Sequence, residues 1–246
     1  MNLKEQLNTL VGEYKNFMGF SQFPEFDLQT KFASLVIADS QGFESAAVTT
    51  YQPITGQHSL CVSVNLELSK YLMFHEFTHM HDSEIYVNGD KVRYAGLSGY
   101  TEYHASQIEL ACLVGAETIG CIPSFSMNKI ISTFAGNKTV LQYVKEKYQH
   151  AKDLFSRDDF PSNISTLKSA FGVLYNYWGL RSICEMYAND FVEIIDNEAF
   201  LKIIPTMKFS LINNLMHGWL DENKIDLSVP LYTNTIFPII QDYKLL

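Results

Sequence analysis

The heptapeptide Phe74-His75-Glu76-Phe77-Thr78-His79-Met80 constrains this chain more than any other stretch. On a helix, His75 and His79 lie one turn apart on the same face, where two imidazoles can hold one cation. Glu76 follows about 100° round the helix, so its carboxylate can stand beside that cation without ligating it. A group placed there can take a proton from a water molecule. The spacing therefore predicts a helix from 66 or 70 to 83, capped by Asn65 or Ser69. Phe74, Phe77 and His81 mark its packing side, and Leu72, His75, His79 and Asp82 the other. His81 falls about 200° from His79, too far to share a ligand, and reads as a structural imidazole.

The pattern is the H-E-x-x-H signature of zinc peptidases. Its bland alternative is a buried helix with two satisfied histidines and a salt-bridged glutamate. A catalytic zinc takes three protein ligands and keeps one position open, so a third ligand must come from elsewhere. The stretch Thr101 to Gly115 offers Glu102, His104 and Glu109. Glu102 is favoured, because small Ala105 and Ser106 follow one turn on and let this second helix approach the first. Glu109 and His104 stay open as ligands, with Asp82 or Glu84 behind them. Glu109 also reads as an acceptor for a ligand histidine's N–H, a role open to Asp82 as well.

The flanking sequence predicts the elements that carry these residues. Leu3, Leu7, Leu10, Val11, Tyr14 and Phe17 recur at helical steps over 3 to 19, with Pro24 as the stop. Phe32 to Ala38 and Ala46 to Tyr51 read as strands, and His58 to Val64 alternates as a third. Asn88-Gly89-Asp90 and Gly96-Leu-Ser-Gly99 read as two turns around a short loop or hairpin, with Thr101 capping the second helix and Gly115 or Gly120 ending it. Val140 to Phe155, Ser162 to Tyr187, and Glu198 to Leu220 broken at Pro205 read as further helices. The expected fold class is α+β: a small antiparallel sheet and the motif helix within 1–120, then a mainly helical region over 121–246, the two forming either separate domains or one.

With 246 residues, 47% of them hydrophobic, the chain can bury a sizeable core. A net charge of −9 with scattered lysines and arginines disfavours nucleic acid as a partner. The N-terminal Met-Asn-Leu-Lys-Glu-Gln-Leu lacks a secretory apolar run and no stretch suits a membrane span, so a cytoplasmic protein is expected. Cys61, Cys112, Cys121 and Cys184 form no CxxC pair and read as buried free thiols.

His75-Glu76-x-x-His79 followed by Glu102-x-x-Ala105-Ser106 resembles the glutamate-zincin peptidases of the ImmA/IrrE type, which show H-E-x-x-H and then E-x-x-A-N. The resemblance covers about residues 30 to 116, with a general likeness to proteins of phage and other mobile elements beyond. It implies a zincin-like core, one Zn2+ held by His75, His79 and Glu102, and Glu76 as the catalytic glutamate. Ser106 stands where the family usually has asparagine.

The leading expectation is a zinc-dependent peptidase acting on a peptide or protein, with an edge strand able to pair with an extended substrate. Tyr94, Tyr100, Tyr103 and His104 are candidates to stabilise the oxyanion. The alternative is a zinc-site regulatory or interaction protein with little or no peptidase activity. The resemblance makes a regulatory protein a plausible substrate or partner.

Overall fold

Local capping chemistry starts the chain. Asn2 accepts from the Glu5 backbone while Glu5 reaches back to the Asn2 N–H, a reciprocal cap that opens α1 (Leu3–Met18). Gly19, left-handed at φ 76°, closes it five residues before the expected Pro24. The computed structural model describes residues 2–32, 47–64, 67–194 and 196–245.

Three strands follow: β1 (Phe26–Lys31), β2 (Ala47–Gln52) and β3 (Gln57–Ser63). They form a sheet in the order β1-β3-β2, with β2 antiparallel and β1 parallel to β3. The sheet is therefore mixed, which corrects the antiparallel expectation. The first described strand begins at Phe26, ahead of the one expected at Phe32 to Ala38. Phe32 lies past the strand's end and is 81% exposed, and residues 33–38 lie outside the described residues. The strand Phe-Asp-Leu-Gln-Thr-Lys is largely exposed, so backbone pairing with β3 places it and hydropathy gives little sign of it. On β3 the alternation holds: His58, Leu60 and Val62 are buried.

The motif helix α2 runs Lys70–Tyr86 from Ser69. Asn88 and Gly89, both at positive φ, make the turn into α3. This helix spans Lys91–Leu113 without a break and is capped by Asp90, which accepts from the Val92 and Arg93 N–H groups. The expected turn at Gly96 to Gly99 and the cap at Thr101 are thereby corrected. A methyl at Gly96 would sit 2.6 Å from Val229, and one at Gly99 2.6 Å from Tyr232. These glycines are close-approach points where other helices cross α3, and tertiary packing outweighs their cost to the helix.

A two-stranded hairpin, β4 (Ile130–Thr133) and β5 (Gly136–Thr139), leads into α4 (Val140–Phe155), opened by a Thr139–Gln142 capping box. α5 (Ile164–Tyr187), α6 (Glu198–Leu201), α7 (Thr206–Leu215) and α8 (Glu222–Asp242) complete the chain. Neither the hairpin nor α8 was expected from sequence. Pro230 and Pro238 lie within α8, and both sit on its exposed face, where the carbonyls they leave unpaired can reach water. Its buried stripe, Ile225, Val229, Tyr232, Ile236 and Ile240, keeps helical period.

α3 organises the interior. Ile108 and Ala111 join α1, α2 and the sheet in one apolar cluster, while Tyr103, Leu110 and Val114 join the C-terminal helices in another. Among the described residues the architecture is α+β and mostly helical, with eight helices, and no helix is long and apolar enough to cross a membrane. All four cysteines are free thiols; only Cys184 is buried and Cys121 is exposed, correcting the expectation that all are buried.

Candidate metal centre

The two faces of α2 divide as their residue types require. Phe74 and Phe77 pack edge-on against Tyr14 at ring separations of 5.3 and 5.6 Å. His81 stacks flat on Phe20 at 3.9 Å and serves packing. His75, Glu76 and His79 face the other way, into a cavity of about 760 Å³. β2, α3, α4, α5 and the β4–β5 hairpin supply its remaining walls.

On α3, Glu102 points its carboxylate at both motif histidines. Its Oε2 lies 3.7 Å from His75 Nε2 and 3.8 Å from His79 Nε2, too far for hydrogen bonds. The three donor atoms lie within 4.8 Å of one another. The opposite ring nitrogens are already engaged: His75 Nδ1 donates to Glu109 Oε2 at 2.8 Å, and His79 Nδ1 pairs with Thr101 Oγ1 at 2.9 Å. An imidazole with its proton on Nδ1 presents a bare Nε2. Two such nitrogens and one carboxylate oxygen, each steadied from behind, form a donor set that fits zinc.

Electrostatics agree with the geometry. Burial alone depresses the His75 imidazole, but the carboxylates of Glu102 and Glu109 outweigh it and lift its pKa to about 10. Burial raises the Glu102 carboxyl, and His79, His75 and Asn176 together hold it down at about 2. Glu109 also lies low: burial opposes this, and His75 with Lys147 and Tyr143 prevails. In the metal-free protein, positive charge thus collects between the buried carboxylate of Glu109 and the part-exposed one of Glu102, at the point where the donors converge.

Glu76 stays outside this donor set. Its Oε2 accepts from the Thr49 N–H at 2.9 Å and the Thr49 hydroxyl at 3.0 Å, which fixes the side chain against β2 on the cavity wall. Tyr94 also lines the cavity.

Several residues singled out in the sequence lie elsewhere. Tyr100 is buried between Tyr86 and His104, and the Tyr103 hydroxyl donates to the Gly218 carbonyl, so neither is placed to meet an oxyanion. His104 pairs with Asp82 at 2.9 Å and faces Trp219. Asp82 therefore serves His104, with His81 at 3.7 Å, and neither motif histidine. Glu84 pairs with His58. The cause is helical phase: with Glu102 turned to the motif histidines, Tyr103 stands about 100° and Tyr100 and His104 about 160–200° round α3 from it. Glu109 takes the acceptor role left open for it.

Sequence reasoning missed Thr101, Tyr143 and Asn176. Thr101 resembled a helix cap because glycines precede it. Tyr143 and Asn176 carry no local signal, since they reach the site from helices 34 and 70 residues away from their partners.

The fold and site thus define an α+β chain with a candidate three-ligand cation centre between two adjacent helices. Compared with protein-family models, curated proteins and solved structures, the chain has no match in any of the three.

Proposed function

We propose that this chain is a zinc-dependent peptidase with a zincin-like core, hydrolysing a peptide bond in a protein substrate. The observation that carries the reading is the convergence of His75, His79 and Glu102 in a cavity, with Glu76 beside them and outside the donor set. When bound, zinc supplies a Lewis acid and lowers the pKa of water. Glu76 takes a proton from the attacking water and returns it to the departing amine nitrogen. Thr49 holds one Glu76 oxygen, so the carboxylate keeps its place through both transfers. Glu109 and Thr101 hold the two imidazoles by Nδ1, which turns both Nε2 atoms toward Glu102.

The cavity suits an extended peptide. Among the described residues, β2 pairs on one side only, and Ala47 to Tyr51 line the cavity. A substrate strand laid along β2 would pass in front of Glu76, which takes the Thr49 N–H, and pair with the edge groups on either side of that point.

Metal analysis of protein purified without metal and given stoichiometric zinc should find one zinc per chain. Glu76→Gln should keep that zinc while cleavage of an unfolded protein substrate falls by a factor of about 10² to 10⁴. Uptake well below one zinc per chain refutes the reading. Full cleavage by Glu76→Gln refutes the role given to Glu76, and an intact biological effect without cleavage indicates a protein that acts by binding.

A further inference from the structure

The C-terminal helices do more than bury apolar surface, because two of their polar side chains end on the supports of the cation centre. Glu109 is 2% exposed and has both carboxylate oxygens engaged. Oε2 accepts from His75, and Oε1 accepts from the Tyr143 hydroxyl of α4. A buried carboxylate held at one oxygen can still swing about its own axis, and a second donor on the other oxygen stops it. Tyr143 reaches Glu109 because the Thr139–Gln142 capping box sets where α4 begins, one turn earlier.

Glu102 has a matching support on α5. The Ser106 hydroxyl donates to Asn176 Oδ1 at 2.7 Å, which fixes how the Asn176 amide is turned. Asn176 and Glu102 line the same cavity, and Asn176 is among the groups that hold the Glu102 carboxyl low. Gly172, one turn earlier on α5, also faces Glu102: a methyl there would come into ordinary contact with its Oε1 at 3.5 Å. His79, by contrast, is supported from within α3 by Thr101.

We infer that Tyr143 and Asn176 are positioning residues for the metal centre, so that residues beyond 120 complete a site whose ligands all precede them. The inference rests on the reading of His75, His79 and Glu102 as zinc ligands. Tyr143 acts through Glu109 on the orientation of His75, and Asn176, its amide oxygen held by Ser106, stands in the cavity wall with Glu102. Neither touches the donor point itself.

The test is zinc affinity, measured on the full chain by competition with a fluorescent chelator. Loss of a partner behind a metal ligand typically weakens binding about 10- to 100-fold. Tyr143→Phe and Asn176→Ala should each raise the zinc dissociation constant about 10-fold or more. Tyr143→Phe placed on a Glu109→Gln background should add little further loss, because its effect runs through that carboxylate. Tyr148→Phe is the control: it lies on the same helix and loses a hydroxyl bond of its own, to the Asp196 carbonyl, away from the centre. Its zinc affinity should stay within about twofold of the starting protein, while a merely structural role for Tyr143 would make the two tyrosine variants behave alike. Circular dichroism of the metal-free variants checks folding, and Tyr143→Phe, the smaller change, decides the matter if Asn176→Ala fails to fold. Unchanged affinity in Tyr143→Phe, or an equal loss in Tyr148→Phe, overturns the inference and leaves the peptidase reading standing. A parent protein that takes up no zinc overturns both.

Discussion

Gly179→Ala sets two well-understood effects against each other, and the structure decides which wins. Gly179 lies inside α5, and alanine in a helix interior is favoured over glycine by about 1 kcal/mol. Propensity alone therefore predicts a more stable protein. The new methyl, however, would press into the Tyr103 carbonyl oxygen of α3 and stand 2.9 Å from the Ser106 Cβ. Ordinary carbon contacts begin near about 3.5 Å. The offending oxygen belongs to a helix backbone and cannot rotate away, so α3 and α5 must separate. Overpacking of this kind costs about 1–3 kcal/mol or more, and a backbone obstacle puts it at the upper end. The net expectation is a loss of about 2 kcal/mol. For a domain of this size each kcal/mol moves the melting temperature by about 2–4 °C, giving a fall of about 4–8 °C. Thermal unfolding of the metal-free protein measures it. Zinc affinity should fall in parallel, because α3 carries Thr101, Glu102 and Glu109 and moves away from Asn176. A melting temperature that rises would refute the claim that the α3–α5 approach is tight enough to exclude a methyl.

Two further outcomes follow from the site. Although burial opposes it, Glu102 and Glu109 lift the metal-free His75 to a pKa of about 10, so at neutral pH its Nε2 carries a proton that zinc must displace. Zinc uptake at pH 7.5 should release about one proton, and affinity should rise about tenfold per pH unit from about 7 to 9; calorimetry in two buffers of different ionisation enthalpy reads the proton count, and a count near zero contradicts the charge assignment. Thr101→Val removes the hydroxyl behind His79 at nearly constant volume, so zinc affinity should drop about 10-fold while Thr101→Ser retains it, as measured by the same chelator competition.

The periodic parts of this chain were legible residue by residue. α4 was read with its observed ends, α5 to within two residues at its start, and α2 with its packing and cavity faces assigned correctly except for Asp82, which is buried against His104. That success has a common cause: each of these elements buries one stripe, or carries a motif whose spacing only a helix satisfies, and period is a property of the sequence. The grouping of His75, His79 and Glu102 was anticipated for the same reason, since two of the three share a helix face.

What failed to show was everything set by a distant partner. Gly96 and Gly99 looked like a turn, and only α8 and α5 lying against them accounts for them; Tyr100, Tyr103 and His104 were offered as oxyanion partners for nearness in sequence, which does not say which face of α3 each occupies. β1 is held by parallel backbone pairing, which leaves no hydropathic mark, and α8, though its buried stripe keeps helical period, carries two prolines that ordinarily break a helix. The sequence by itself determined which helix presents the histidines and what chemistry they can offer. Glu109 behind His75 was one of the roles the sequence left open, but tertiary structure alone brought Tyr143 and Asn176 up behind the centre, because a hydrogen bond across 34 or 70 residues depends on how helices cross, and no local pattern of residues encodes a crossing.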